Sequence, residues 1–242
     1  MGTLCKIQDE KFDLDKPVIV CGKAKNAPVI YEWLNKKNTK KYYTSAINSA
    51  CTFFDYQSGV DFLFASEIEA VEALKKYDYS YSKVKRLVTQ EAAKYHGESG
   101  MIVEHPSKTF QDLGDLFPSQ TKVFVYKVEG QLRKIDALKD KRDDICFEAG
   151  ISTYFYALKW LIAVGFKKFI IFGINDEPEY SELFVANRDG DMTKPKQWYE
   201  KNFQDGLKVL NKNGCSYVIN DFQRSLQEKC KVSYSPSVEW LD

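Results

Sequence analysis

Residues suited to holding a phosphate follow the first apolar run of the chain, PVIVC (residues 17–21). They are Gly22, Lys23, Lys25 and Asn26, and a helical pattern of apolar residues begins soon after them. Free N–H groups at a helix start attract anions, and a nearby lysine adds a positive charge. The phosphate motifs G-x-x-x-x-G-K-[ST] and G-x-G-x-x-G are both absent. The segment predicts a phosphate site of another type, with an ordinary surface turn as the alternative.

Carboxylates follow the most continuous apolar pattern of the chain, FIIFGI (residues 169–174). They include Asp176 and Glu177, and Glu179 and Glu182 come shortly after them. Carboxylates at the end of a strand can hold Mg²⁺, orient a sugar or take a proton from a hydroxyl group. An exposed acidic loop without a chemical role is the alternative interpretation. The two histidines, His96 and His105, are candidates for an acid or base on a lid, with an exposed loop histidine as the alternative.

Composition narrows the class of protein. The chain carries 35 Lys and Arg residues against 34 Asp and Glu residues, and the net charge of +1 gives no bulk argument for a nucleic-acid or membrane partner. No stretch reaches the about 18 apolar residues that a transmembrane helix needs, and the N-terminus lacks a signal-peptide core. Six cysteines without zinc or C-x-x-C spacing indicate a reducing compartment. We expect a cytoplasmic protein, with peripheral membrane attachment as the alternative.

The elements that must position these residues alternate between strand and helix. Apolar runs predict strands near residues 17–22, 42–50, 59–66, 83–90, 121–128, 169–174 and 215–220. The strand at 121–128 is expected to be more exposed than the others. Helical spacing predicts helices near residues 28–37, 67–77, 152–164 and 198–214.

This alternation predicts an α/β fold with a doubly wound, mostly parallel Rossmann-like sheet and helices on both faces. The length fits a single domain, residues 1–242. Its least regular segments, 91–120 and 177–197, are candidate lids.

In an open parallel sheet, ligands bind beyond the carboxyl ends of the strands, near the point where the strand order reverses. Asn48 comes near the end of the second apolar segment and Ser66 ends the third, so both are expected at the same edge as the phosphate candidates. Ser152 or Thr153 is expected to cap the helix that leads to the most apolar strand. Amide, hydroxyl, lysine and carboxylate groups at one edge suit a nucleotide better than an apolar ligand.

Several segments can be compared with a known family as a set: VIVCGKAKNAP, INSA, GVDFLFAS and STYFYALKWLIAVGFKKFIIFGIND. Together they resemble bacterial sialyltransferases and their relatives, which include flagellin-modifying glycosyltransferase-like proteins and archaeal 6-hydroxymethylpterin diphosphokinase-like proteins. The resemblance implies that the loop at Gly22 and the amide of Asn48 bind the nucleotide. It also implies that the Ser152–Thr153 pair opens a helix at the site and that Gly173 ends the strand that follows.

The sequence departs from the family pattern in three places. Lys23 and Ala24 stand where the C-G-N-G-P-S loop of the family has an asparagine and a second glycine. The carboxylate of the family's G-I-D is displaced by one residue, to Asp176. The family uses a histidine after this strand as general base, and residues 177–242 contain none. Another base is then needed, and the candidates are Asp176, Glu177, Asp189, Asp191 and His105.

The resemblance and the edge residues together predict a glycosyltransferase. It would move a sugar from a nucleotide-sugar donor, such as a CMP-sialic-acid-like donor, to a glycan or another hydroxyl acceptor. The nucleotide-binding candidates are Gly22, Lys23, Lys25, Asn26, Asn48, Ser66, Ser152, Thr153 and Gly173. Two alternatives stay open, a phosphoryl or diphosphoryl transferase that uses Mg²⁺ and acts on a small heterocycle, and a nucleotide-binding module without catalysis.

Overall fold

The structure is a computed structural model. It describes residues 2–23, 39–54, 59–96, 102–129, 145–148, 152–174 and 196–219. The predicted helix at 28–37 and most of the candidate lid at 177–197 lie outside these ranges.

Nine of the described strands form one sheet in which every paired neighbour is parallel. The eleven described strands, in chain order, are β1 (Thr3–Leu4), β2 (Val18–Cys21), β3 (Tyr43–Ile47), β4 (Phe62–Phe64), β5 (Arg86–Gln90), β6 (Ala92–His96), β7 (Ile102–Thr109), β8 (Lys122–Val128), β9 (Cys146–Phe147), β10 (Lys168–Phe172) and β11 (Ser216–Ile219). The order across the sheet is β1-β8-β5-β4-β3-β2-β10-β11, and β9 also pairs with β8. The remaining two strands, β6 and β7, pair antiparallel with each other.

The strand order confirms the predicted doubly wound sheet. From β2 the chain moves outward through β3, β4 and β5 to β8, and it then returns to the other side of β2 with β10 and β11. The order therefore reverses between β2 and β10. Ligands of open parallel sheets bind beyond the carboxyl ends of the strands at such a switch point.

Helices cover both faces of the sheet, as the alternation of strand and helix predicts. They are α1 (Ile68–Glu72), α2 (Phe110–Asp115), α3 (Thr153–Val164) and α4 (Lys196–Lys212). Successive side chains of a strand point to opposite faces. In β2, Ile19 and Cys21 accordingly join the core beneath α1 and α2, whereas Val18 and Val20 join the core beneath α3 and α4.

The ends of α3 confirm the predicted capping residues. The Ser152 side chain accepts a hydrogen bond from the Phe155 N–H at 3.3 Å, so Ser152 is the N-cap and Thr153 the first helical residue. Gly165 ends the helix with a φ of +118°, a backbone conformation that residues other than glycine rarely adopt. The chain then turns directly into β10 beside the switch point.

The segment 91–120 is more regular than the sequence predicts. It forms the β6–β7 hairpin and then α2, which begins at Thr109 with a capping box that includes Asp112. The uneven pairing of the two strands, with a register shift between Ala92 and Lys94, hides the hairpin from sequence patterns of alternating apolar residues. Its role as a lid stays a prediction. In β8, which is expected to be more exposed than the other strands, Lys122 is exposed, whereas Val123, Phe124, Val125 and Tyr126 are all buried between two layers of helices.

A buried ion-pair group anchors the N-terminal segment at the amino edge of the sheet. Glu10 Oε1 lies 2.6 Å from Arg86 Nη2 and 3.0 Å from Lys122 Nζ. The Arg86 guanidinium also lies over the rings of Phe12 and Phe62, 5.4 and 5.1 Å from their centroids. Burial acts to raise the pKa of Glu10, but hydrogen bonds from the two cations and their charges outweigh it, so that the pKa lies below its ordinary value.

The Glu10 group predicts a pH-dependent contribution to stability. Because the folded state lowers the pKa of Glu10, this contribution is complete above the ordinary pKa of 4.5 and is lost as the pH falls through the folded-state value. We expect Glu10→Gln to lower the free energy of unfolding at pH 7 by about 1–3 kcal/mol. We also expect it to weaken the loss of stability between pH 5 and pH 3. Urea denaturation at a series of pH values measures both, with the exposed Asp9→Asn as control. If the free energy of unfolding changed with pH in the same way for Glu10→Gln and the wild type, the lowered pKa of Glu10 would not contribute to stability.

Candidate functional site

The ends of β2 and β10 meet at two glycines, Gly22 and Gly173. The Gly22 N–H donates a hydrogen bond to the Phe172 carbonyl oxygen at 2.8 Å. A Cβ on Gly22 would collide with the Gly173 carbonyl oxygen and would lie 2.6 Å from Cγ1 of Ile174. Gly173 itself has a φ of +62°. At the switch point the two strand ends therefore pack backbone against backbone, and only glycine fits at position 22.

Lys23 and Asn48 stand side by side just beyond this point. Each lies two positions after the last paired residues of β2 and β3, Cys21 and Ala46. Both side chains are buried, and Asn48 adopts a φ of +52° that turns the chain into a 3-10 helix. The structure thus brings together two of the predicted nucleotide-binding residues, one cationic and one an amide.

The row of polar groups continues across the next strands. Ser66 and Gln90 each lie two positions beyond the paired residues Phe64 and Val88, and Gln90 pairs with Tyr126 of β8. Ser66, Gln90 and Tyr126 are all buried. The polar edge therefore extends from the switch point to β8, and Ser66 lies in it as predicted.

Two amide oxygens in this row accept no hydrogen bond from the described residues. They are Oδ1 of Asn48 and Oε1 of Gln90. The Gln90 Nε2 donates to the Ala92 carbonyl oxygen at 2.8 Å, which fixes the direction of the amide. A buried acceptor without a donor costs about 1–3 kcal/mol, so a ligand or water that supplies an N–H or O–H group would be bound favourably there. The sequence analysis missed Gln90, although its place at the end of a predicted strand could have identified it.

Charged side chains are also collected at this edge. Glu67 and Glu91 are buried at the ends of β4 and β5, and Lys94 is half-buried on β6. The Lys94 N–H donates to the Ser66 carbonyl oxygen at 2.7 Å, which ties the hairpin to the end of β4. The Lys94 ammonium lies 5.6 Å from the centroid of the Tyr156 ring. The hairpin thus adds charge to the site and covers part of the edge.

The structure places the other predicted residues less completely. Lys25, Asn26, Asp176, Glu177 and Asp189 lie outside the described residues. The backbone of His105 belongs to β7, next to Glu104, which pairs with Lys94. That path brings the backbone of His105 toward the hairpin's attachment at the carboxyl edge. Ser152 and Thr153 begin α3, where the Ser152 hydroxyl accepts the capping hydrogen bond.

The cysteine beside the glycine turn is not an activated nucleophile. Cys21 is fully buried, and its Sγ donates to the Gly22 carbonyl oxygen at 3.4 Å. Burial, together with the nearby Cys51, raises the pKa of the Cys21 thiol far above its usual range. The thiolate is therefore not populated at neutral pH. Cys21 contributes to this site as a small apolar side chain of the core.

A groove of about 630 Å³ lies away from this edge. Its walls come from the segments that precede β5 and β8, at the amino edge of the sheet, and they include Tyr79, Tyr81 and Phe117. The groove is wide open, and it lacks the strand ends and glycine backbone that characterise the switch point. The carboxyl edge is therefore the stronger candidate site.

Searches for other kinds of site and for relatives were negative. Within the described ranges, no three His, Cys, Asp or Glu side chains are grouped so that they could hold a metal ion. No described helix combines the length and apolar character required to cross a membrane. No family model, curated protein or solved structure matches the chain. The resemblance to sialyltransferase-like proteins therefore stays a prediction from sequence patterns, whereas the α/β fold class is shown by the sheet.

Proposed function

We propose that the chain binds a nucleotide sugar at the carboxyl edge of the sheet and transfers the sugar to a hydroxyl acceptor. The observation that carries the proposal is the close contact of Gly22 with Gly173 at the switch point, with Lys23 and Asn48 buried beside it. A buried cation and a buried amide beside two strand ends are groups that can recognise a nucleotide and its phosphate. The resemblance of the sequence patterns supports the sugar as the transferred group.

Lys23 is the residue proposed to stabilise the leaving nucleotide. During transfer, the acceptor oxygen bonds to the anomeric carbon, and the bond from that carbon to the phosphate oxygen breaks. The electron pair of the broken bond stays on the phosphate, where negative charge grows. A lysine buried at this point interacts with that charge more strongly than a solvated one does, because water screens it less. Lys23 would thus take over the contact for which the family loop has an asparagine.

A thermal-shift screen tests the proposal. A ligand that binds only the native state raises the melting temperature by mass action. CMP-, UDP- and GDP-sugars and ATP are screened, each with and without Mg²⁺ and Mn²⁺. We expect at least one nucleotide sugar to raise the melting temperature and to be hydrolysed slowly. A response to ATP alone that requires metal would favour phosphoryl transfer instead, and binding without turnover would favour a non-catalytic module. No response to any nucleotide contradicts the proposal.

Replacement of Lys23 tests the phosphate contact directly. A charge-assisted hydrogen bond contributes about 1.5–3 kcal/mol, so we expect Lys23→Ala to weaken binding of the best nucleotide sugar by about 10- to 150-fold. Calorimetric titration measures the affinity. The control is Lys201→Ala, which removes the same charge from an exposed position on α4. Equal affinities for Lys23→Ala and the control would exclude Lys23 from the phosphate site.

A further inference from the structure

Glu67 is a buried carboxylate at the end of β4, with 7% of its surface exposed. It occupies the N-cap position of α1, yet its side chain makes no capping hydrogen bond. Glutamate is rarely buried to this degree, because desolvation disfavours its charge. The Glu67 side chain therefore does not act as a helix cap.

Glu67 lies beside the β6–β7 hairpin and near a cluster of aromatic side chains. Glu67 forms a parallel bridge with Lys94 of the hairpin. Beneath it, Tyr126 and Tyr156 pack with ring centroids 5.3 Å apart, and Phe147 lies 5.3 Å from Tyr126. The pKa of Tyr126 is raised well above its ordinary value. Burial is the largest cause, and the charges of Tyr156 and Glu67 are the next two. The Glu67 carboxylate is thus close enough to this aromatic cluster to raise the pKa of Tyr126, and the Glu67 backbone is bridged to the hairpin.

The spacing of the strands sets the distance from Glu67 to the phosphate candidates. β4 lies two strands from β2, which corresponds to about 10 Å at the usual strand separation. A phosphate at Lys23, and the anomeric carbon joined to it through an oxygen, take up the part of that distance nearest to Lys23. The acceptor oxygen lies about 3 Å from the anomeric carbon, and a base must lie within about 3 Å of the acceptor hydroxyl. The end of β4 is therefore at the right distance for a base.

We infer that Glu67 is the general base of the proposed sugar transfer and that the acceptor lies over the ends of β4 and β5. The inference rests on the proposed function. The Glu67 carboxylate takes the proton of the acceptor hydroxyl while the acceptor oxygen bonds to the anomeric carbon. The electron pair of the broken bond leaves with the nucleotide phosphate, and the proton passes from Glu67 to solvent afterwards. The neighbouring Gln90 Oε1, which lacks a donor among the described residues, suits an acceptor rich in hydroxyl groups.

Hydrolysis of the donor tests this role, since water then replaces the acceptor and needs the same base. The probes are CMP-, UDP- and GDP-sugars, and the readout is release of the free nucleotide. We expect Glu67→Gln to lower kcat by about 100-fold or more while KM changes by less than about threefold. Glu67→Asp should retain part of the activity. Glu69→Gln makes the same substitution at an exposed position two residues away and should leave kcat unchanged.

The outcomes separate the inference from the function on which it rests. Undiminished hydrolysis by Glu67→Gln, with the wild type active, overturns the inference and leaves sugar transfer standing. No binding or hydrolysis of any donor by the wild type overturns both. The rise in melting temperature with nucleotide shows whether a variant keeps a folded site. If Glu67→Gln does not fold, Glu67→Asp decides, because an unchanged kcat in that variant contradicts a base at this position.

Discussion

Gly22→Ala is expected to abolish nucleotide binding and to lower the free energy of unfolding by about 1–3 kcal/mol. The added Cβ would collide with the Gly173 carbonyl oxygen and would lie 2.6 Å from the side chain of Ile174. A flexible side chain could move away, but the carbonyl oxygen belongs to the backbone that follows β10. The two strand ends must therefore separate, which breaks the hydrogen bond from the Gly22 N–H to Phe172. Urea denaturation and calorimetric titration with the best nucleotide sugar measure the two effects.

Gly114→Ala is the matched control for this substitution. Gly114 is also buried, but a Cβ there would find its nearest neighbour, Cγ2 of Val123, at an ordinary contact distance of 3.6 Å. Gly114 lies in α2, where alanine is preferred over glycine by about 0.5–1 kcal/mol. We expect unchanged binding and unchanged or slightly higher stability. If Gly22→Ala and Gly114→Ala had the same nucleotide affinity and the same free energy of unfolding, the strand ends would have space for a Cβ at position 22.

Trp160→Ala is expected to lower the free energy of unfolding by about 3–5 kcal/mol. Trp160 is fully buried in the middle of α3, and its ring lies 5.9, 5.8 and 5.6 Å from those of Phe62, Phe64 and Phe124. The indole thus fills the space between α3 and the strands β4 and β8. Its removal leaves a large cavity that the surrounding rings cannot fill completely. Urea denaturation measures the loss.

Trp160→Phe separates packing from hydrogen bonding at the same position. The indole Nε1 has no hydrogen-bond partner among the described residues. Phenylalanine removes this unsatisfied donor and keeps most of the apolar contact, so we expect a loss of less than about 2 kcal/mol. A loss as large as that of Trp160→Ala would mean that the indole nitrogen has a stabilising partner.

Seven of the nine strands of the main sheet could be predicted because their sequences follow one simple physical rule. Strands buried on both faces are apolar throughout, as in Val18–Cys21 and in residues 169–172, and turn residues end them. The α3 helix is bounded by Ser152 and Gly165, whose cap preferences depend on local geometry alone. Local signals of this kind survive without any knowledge of the tertiary structure.

The β6–β7 hairpin and the strands β1 and β9 could not be predicted, because tertiary contacts define them. β1 and β9 have two residues each and exist only through pairing with β8. The hairpin is held by its attachment to Ser66, a contact that no sequence spacing shows.

The candidate site was predicted in part. Gly22, Lys23, Asn48 and Ser66 follow predicted strands, and parallel pairing brings such positions to one edge. Gln90 and Glu67 follow strands in the same way, but their importance comes from burial and from the missing donor at Gln90 Oε1, which only the structure shows. Several other candidates, Lys25, Asn26, Asp176, Glu177 and Asp189, stay predictions.

Amide hydrogen exchange in the presence and absence of the best nucleotide sugar tests the central claim most directly. Binding at the switch point predicts slower exchange at residues 20–23, 46–49 and 172–174. Exchange at the amino edge, including residues 79–83 and 116–118, should stay unchanged. Slower exchange confined to the amino edge, or no change with any nucleotide, would contradict a nucleotide site between β2 and β10.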